Sequence, residues 1–244
     1  VDAALKQFVN SFTTAVNPQI TKSYAQGDRE SMHKLVCRSA KFSAFLMMFF
    51  AVPIILETDT ILTLWLKNPP AYASIFLKWI IISSFMDTVL ANSLVTSMFA
   101  TGNIKRYQII VTTVGCLVFP LSWLAFQLGF EPQVGYILYF IIYSILLFIR
   151  LYLLRDMVKL PIMMYVREVL FKVLPTMAIC FTIPSLLLFS MGEGAVRLIL
   201  IVVFSTIVSS FTIYHIGLNE GEKKYLIDQL FKTPVIQHIK NKRQ

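Results

Sequence analysis

The chain has 244 residues, of which 57% are hydrophobic and only 14% are charged, and its formal net charge is +9. Soluble domains are about one quarter charged, so these charges are too few to cover a soluble globule of this size. The 9 glycines, 10 prolines and 3 scattered cysteines exclude collagen-like, low-complexity and disulfide-scaffold chains. The composition therefore predicts an all-α polytopic membrane protein.

Apolar segments long enough to cross a bilayer, about 17–25 residues, recur along the whole chain. The predicted spans are 2–21, 36–56, 72–98, 108–128, 134–150, 169–190 and 195–217. The first, 2–21, is apolar on one side only, whereas the other six are convincing membrane spans. The chain begins with Val1 rather than methionine, which we interpret as the start of a fragment or a processed chain.

The basic residues predict the topology of these spans. Most of the 22 Lys and Arg residues fall in one alternate set of segments, 21–41, 102–107, 150–172 and 218–244. By the positive-inside rule these segments are cytoplasmic, which places Val1 outside and the C-terminus inside. Because the basic residues are divided among four segments, the net charge indicates topology and attraction to anionic lipid rather than nucleic-acid binding.

The last segment, 218–244, is predicted to form an amphipathic cytoplasmic tail. Asn219 and Glu222 have the spacing of a helix N-terminal capping box. Four apolar residues follow on one side of the predicted helix: Tyr225, Leu226, Leu230 and Phe231. We expect this helix to lie on the membrane surface, and a partner-binding role is the alternative.

The first span carries a regular polar stripe. Its members recur at steps of three and four residues and so share one helical face: Lys6, Asn10, Thr13 or Thr14, Asn17 and Thr21. This pattern predicts that the stripe lines a polar lumen. The alternative is hydrogen bonding between helices of a packed bundle, and Lys6 could also pair with Asp2.

The third span carries a carboxylate, Asp87, near its middle. Ser83 and Ser84 share its half of the helix, and Asn92 lies at the edge of that half. Ionisable groups in the bilayer are costly and commonly mark ion or substrate sites, so Asp87 is the candidate for proton or cation coupling. The alternative is a buried carboxylate that is hydrogen-bonded to Ser or Thr or paired with a lysine.

Several catalytic and cofactor-binding patterns are absent from the sequence. It contains no GxxxxGK[ST] phosphate loop, no HExxH pair and no GxSxG elbow. The three histidines lie in unrelated places, and no loop is long enough to form a catalytic domain. The sequence therefore predicts a transporter rather than an enzyme, with no metal and no cofactor.

Four strings of residues resemble one protein family. The stretch 10–28 (NSFTTAVNPQITKSYAQGD) resembles the early part of the C-terminal half of bacterial polysaccharide-biosynthesis flippases. These are the O-antigen or capsule repeat-unit transporters of the multidrug/oligosaccharidyl-lipid/polysaccharide superfamily. Further similar strings follow in order at 53–58 (PIILET), 61–66 (ILTLWL) and 100–108 (ATGNIKRYQ).

The resemblance implies a MATE-like fold of two related six-helix lobes around a central cavity, in the bacterial inner membrane. This chain would be most of the C-terminal lobe with two additional helices, and its partner would be a missing N-terminal lobe. The family moves undecaprenyl-diphosphate-linked oligosaccharides across the membrane by alternating access. The partners that the resemblance implies are this glycan lipid, membrane lipids, and glycan polymerase or assembly proteins. On the residue argument, not the resemblance, the candidate cavity residues are Lys6, Asn10, Thr14, Asn17, Ser83, Ser84 and Asn92.

Three other functions are compatible with the sequence. A cation-coupled multidrug or metabolite exporter would share the fold, and only the motif strings favour the flippase over it. A membrane glycan polymerase or acyltransferase would need catalytic residues clustered in a loop. A scaffold of a glycan-assembly complex would need neither Lys6 nor Asp87.

Overall fold

The computed structural model describes residues 1–192 and 194–224, and all regular secondary structure in that part is helical. The helices are α1 (Asp2–Ala25), α2 (Arg29–Leu56), α3 (Thr58–Leu66), α4 (Ala73–Ser84), α5 (Asn92–Ala100), α6 (Lys105–Cys116), α7 (Val118–Gln127), α8 (Val134–Val158), α9 (Ile162–Tyr165), α10 (Phe171–Ser190) and α11 (Ala195–Thr212). Three π-helical segments continue helices α4, α9 and α11: Phe85–Val89, Val166–Leu170 and Ile213–Gly217.

Six helical stretches of the described chain are long and apolar enough to cross a membrane. They are Arg29–Leu56, Ala73–Ala100, Lys105–Gln127, Val134–Val158, Ile162–Phe189 and Ala195–Gly217. The prediction of an all-α, multi-pass membrane protein is therefore confirmed. The amphipathic helix α1 is not among the six, so its crossing of the membrane stays a prediction.

At the basic end of the bundle, the helices extend beyond the apolar segments that were predicted from the sequence. Helix α2 begins at Arg29 rather than 36 because Asp28 caps it: the backbone N–H of Ser31 donates to Oδ1 of Asp28 at 3.0 Å. The hydrogen bonds from Ser31 lower the pKa of Asp28. Hydrophobicity marks the membrane-embedded part of a helix, whereas caps decide where the helix starts.

A proline explains the break between α6 and α7. Pro120 has no N–H to donate to the carbonyl of Cys116, and α6 ends at Cys116. The N–H of Leu117 instead bonds to the carbonyl of Val114 at 3.1 Å. The α6–α7 stretch is the most exposed of the six, and α7, all of it described, buries none of its side chains. It forms the outer layer of the bundle.

Helix α2 forms the centre of the bundle and is contacted by α1, α5, α10 and α11. Its small residues Ala40, Ala44 and Ala51 are buried and allow neighbouring backbones to come close. The same closeness appears where the third π-helical segment meets α2, because a Cβ at Gly217 would lie 2.5 Å from the ring of Phe45. Only glycine fits there while Phe45 keeps its position.

A π-helical turn interrupts the span that carries Asp87. The N–H of Leu90 bonds to the carbonyl of Phe85 at 2.9 Å, five residues back. The carbonyl of Leu90 accepts a hydrogen bond of 2.6 Å from the hydroxyl of the fully buried Tyr165. Single π-turns are frequent at functional sites, and Asp87 lies within this one.

Candidate functional site

The polar stripe of α1 faces α4 and α5 and makes direct side-chain hydrogen bonds with them. The hydroxyl of Ser84 donates to Oδ1 of Asp2 at 2.7 Å. About two turns further along, Nδ2 of Asn92 donates to Oγ1 of Thr13 at 3.2 Å and lies 3.4 Å from Oδ1 of Asn10. These contacts form a polar seam between α1 and the α4–α5 span.

Lys6 lies where this seam meets a cavity. Its Nζ is 2.9 Å from Oδ2 of Asp2, and its side chain is 29% exposed. The cavity has a volume of about 660 Å³ and lies between α1, α4, α7 and α8. Lys6 and Ser84 form a polar wall of the cavity, and Ser122 adds a hydroxyl from α7. The aromatic lining residues are Phe119, Trp123, Phe126, Tyr136 and Tyr139. An ammonium group and several hydroxyls therefore border an otherwise apolar space.

Asp87 adjoins the cavity through a tyrosine. The hydroxyl of Tyr139, which lines the cavity, donates to Oδ2 of the half-buried Asp87 at 2.8 Å. The Tyr139 ring stacks on Tyr143, with ring centroids 4.2 Å apart. Tyr139 was not among the predicted site residues, although Tyr136, Tyr139 and Tyr143 recur at steps of three and four along one helical face.

The other predicted residues divide between buried positions and the protein surface. Ser83 is buried, and within the described chain its hydroxyl has no hydrogen-bond partner. Asn17 is half-buried, and its Oδ1 likewise has no partner there. Thr14 is exposed and lies off the seam, whereas Thr13 is in it. The structure thus brings Lys6 and Ser84 to the cavity and Asn10 and Asn92 to the seam.

A buried ion pair that the sequence analysis missed lies at the end of α2. Nε of Arg197 is 2.7 Å from Oε1 of Glu57, and Nη2 of Arg197 is 3.1 Å from Oε2. The hydroxyl of Thr60 also donates to Glu57. This bidentate contact joins α2 to the start of α11. The signal available in the sequence was one acidic and one basic residue, Glu57 and Arg197, each at the end of an apolar segment.

A second buried ion pair joins α2 to the residues after the third π-helical segment. Nζ of Lys41 is 2.6 Å from Oε2 of Glu222, and their side chains are only 2% and 7% exposed. Glu222 also accepts the backbone N–H of Asn219 at 2.9 Å, so this half of the predicted capping box is confirmed. The Asn219 side chain instead donates to Glu168 at 2.7 Å. The predicted apolar face at 225–231 lies outside the described residues.

Arg150 is a third buried charge, and it lies at the predicted boundary between the span 134–150 and the cytoplasmic segment 150–172. It is 7% exposed, within α8 rather than in a loop. In the part of the chain that the structure describes, its Nε and Nη1 have no hydrogen-bond partner, and neither does the buried hydroxyl of Tyr107 on α6. Metal binding is a separate question. Among all the described residues, no group of three or more His, Cys, Asp or Glu side chains could hold a metal ion.

No protein-family model, curated protein or solved structure matches this chain. The resemblance to polysaccharide flippases therefore stays a prediction from the motif strings.

Proposed function

We propose that this chain is one lobe of a two-lobe, MATE-like transporter that moves undecaprenyl-diphosphate-linked oligosaccharide units across the bacterial inner membrane. Transport occurs by alternating access, the C-terminus is cytoplasmic, and an N-terminal lobe completes the cavity. The observation that carries this proposal is the cavity of about 660 Å³ between apolar helices, with Lys6 on its polar wall. The motif strings supply the class of substrate.

The chemistry of the cavity suits an anionic glycan lipid. A diphosphate and sugar hydroxyls lose their hydration in hydrocarbon, and this cost must be offset by hydrogen bonds and charge. Lys6, which is paired with Asp2, brings a cation to the cavity. The hydroxyl oxygens of Ser84, Ser122 and Tyr139 can accept hydrogen bonds from sugar hydroxyls. The aromatic wall offers apolar contact for ring faces, and ligand sites of this kind combine apolar walls with a few polar groups.

The driving force is assigned to an ion gradient or to the concentration difference of the substrate, because the sequence contains no nucleotide-binding motif. Asp87 is the proposed proton carrier. It is half-buried in a candidate span and hydrogen-bonded to Tyr139. Tyr139 also lines the cavity, so protonation of Asp87 would change a hydrogen bond at the wall that contacts the substrate.

A cell strain that lacks the protein tests the function directly. We expect lipid-linked glycan to accumulate facing the cytoplasm and surface polysaccharide to be lost, with both effects reversed by complementation. Altered drug sensitivity with a normal glycan would identify the exporter instead. Glycan lipid that reaches the outer leaflet but stays unpolymerised would identify a polymerase.

Replacing Lys6 with alanine is expected to lower the rate of glycan-lipid transport by about 10- to 100-fold. A hydrogen bond to a charged group contributes about 1.5–3 kcal/mol, and each 1.4 kcal/mol corresponds to a factor of ten. Transport in proteoliposomes measures the effect, and Lys6→Arg should retain most of the rate. Lys34→Ala is the matched control, because Lys34 pairs with Glu30 four residues away and lies outside the cavity. Normal transport by Lys6→Ala would exclude this role.

Replacing Asp87 with asparagine is expected to remove the pH dependence of transport, because the amide cannot take up a proton. Transport measured with and without an imposed pH gradient tests this. Tyr139→Phe removes the hydrogen bond but keeps the carboxylate, so a response to the gradient should remain. Asp156→Asn, at an exposed position of α8, is the control. The coupling role is wrong if Asp87→Asn transports normally and still responds to the gradient.

A further inference from the structure

A second cavity, separate from the one around Lys6, runs along the junction of α1 and α2. We call it the α1–α2 groove, and its volume is about 610 Å³, within the range of about 300–1,000 Å³ that is typical of small-molecule sites. Its walls are apolar over Phe12, Val16, Leu35 and Phe42, and its polar lining residues are Gln19, Arg38, Ser39 and Glu222. The two helices are antiparallel, and the rings of Phe12 and Phe42 face each other with centroids 6.4 Å apart.

Arg38 gives the groove a cationic end. Its side chain is 56% exposed, and its Nε is 3.8 Å from Oε1 of Glu222, too far for a hydrogen bond. The same carboxylate is already paired with Lys41 at 2.6 Å. One glutamate therefore lies against two cations, which leaves positive charge at Arg38 for a further anion.

Ser39 adds a polar group that has no partner within the described chain. It is 1% exposed, it lines the groove, and its hydroxyl forms no hydrogen bond to a described residue. Buried hydroxyl groups are normally paired. The Ser39 hydroxyl and the Arg38 guanidinium lie at one end of the groove, and the rest of the groove is mainly apolar. This arrangement suits a phosphate or ester group with an attached hydrocarbon chain.

The depth of Arg38 along α2 agrees with the headgroup boundary of a bilayer. A helix of 28 residues is about 42 Å long, whereas the hydrocarbon core is about 30 Å thick. Arg38 lies nine residues after Arg29, or about 14 Å along the helix, close to where the helix enters the core. Lys22, Arg29 and Lys34 lie at this same end, and such basic clusters attract anionic lipid.

We infer that the α1–α2 groove binds one anionic phospholipid from the leaflet at the basic end of the bundle. The phosphate pairs with Arg38, the Ser39 hydroxyl donates to a phosphate or ester oxygen, and one acyl chain lies along the groove against Val16 and the rings of Phe12 and Phe42. This lipid is a resident of the membrane and lies apart from the cavity proposed for the transported glycan. Its binding is therefore independent of the proposed transport.

Competitive lipid retention by the full chain tests the inference. The protein is purified in detergent, equilibrated with equal amounts of phosphatidylglycerol and phosphatidylcholine, and analysed by native mass spectrometry. We expect one phosphatidylglycerol to be retained at least fivefold over phosphatidylcholine, and Arg38→Gln to abolish this preference. Arg38→Lys should retain part of it. Thermal unfolding in lipid-free detergent confirms that each variant is folded.

Two matched variants distinguish a site from general surface charge. Lys34→Gln removes one charge from the same end of α2 but does not alter the groove, and it should leave the preference unchanged. Val16→Phe fills the apolar part of the groove and should reduce the retention of both lipids. Equal retention of the two lipids by the wild type, or equal losses in Arg38→Gln and Lys34→Gln, would overturn the inference. Displacement of the lipid by millimolar inorganic phosphate would also overturn it, because it would mean that the acyl chain contributes nothing.

Discussion

Replacing Arg197 with methionine is expected to destabilise the protein more than the loss of any exposed charge. The guanidinium forms two hydrogen bonds to Glu57, whose side chain is fully buried. Removing one partner of a buried ion pair costs about 3–5 kcal/mol, because the other charge remains desolvated. In a protein of this size such a loss lowers Tm by on the order of 10 °C. Thermal unfolding in detergent measures the effect.

Two controls separate the buried charge from general effects of the substitution. Lys78→Met breaks a more exposed ion pair, in which Nζ of Lys78 is 3.0 Å from Oδ2 of Asp59 and the side chains are 34% and 59% exposed. This substitution should lower the free energy of unfolding by at most about 1 kcal/mol. Glu57→Leu combined with Arg197→Met removes both charges and should recover much of the stability, since apolar replacements of buried ion pairs are often neutral or stabilising. Equal Tm values for Arg197→Met and Lys78→Met would contradict the prediction.

Replacing Glu222 with glutamine is expected to have the second large effect. It leaves the ammonium of Lys41, only 2% exposed, without its closest carboxylate. The amide oxygen of the glutamine can still accept the N–H of Asn219, so the expected loss comes from the charge of Lys41. We expect a loss of about 3 kcal/mol or more, together with faster hydrogen exchange of the amides at 219–224, because the contact that holds this segment on α2 is lost.

Glu220→Gln is the matched control for Glu222. The two glutamates are two residues apart, but Glu220 is 91% exposed and pairs with Lys223 at the helix surface. Loss of that pair should change stability by at most about 1 kcal/mol. Restored stability in the double variant Lys41→Met/Glu222→Gln would attribute the loss to the unpaired lysine. If Glu222→Gln unfolds at the wild-type temperature, the pair has no stabilising role.

The two ion pairs have a common consequence for the architecture. They lie along α2 at Lys41 and Glu57, about 24 Å apart, and both join α2 to α11 or to the residues that follow it. Helix α1 packs against α2 and is joined to the α4–α5 span by the polar seam with Ser84 and Asn92. The central helix therefore holds the C-terminal helices through charge as well as packing.

The polar stripe on α1 shows what a pattern in the sequence can predict and what it cannot. Helical periodicity correctly places Lys6, Asn10 and Thr13 on one face, and the proximity of Asp2 to Lys6 was visible from their spacing of four residues. The pattern does not say what this face contacts. The structure shows Asn92 and Ser84 opposite it, with the cavity beginning at Lys6.

The sequence by itself determined the membrane class, the six strongly apolar spans and the basic end of the bundle, because hydrophobicity, length and charge are properties of each segment alone. The tertiary structure decided that Asp87 meets Tyr139, that Glu57 meets Arg197 and that Lys41 meets Glu222. These partners are 52, 140 and 181 residues apart. Local periodicity carries no information about which faces of distant helices pack together. The low charge content that marked the chain as a membrane protein also makes each buried charge costly. Lys41, Glu57, Arg197 and Glu222 are accordingly paired. In the described chain, buried guanidinium nitrogens without a hydrogen-bond partner occur at Arg29 and Arg150.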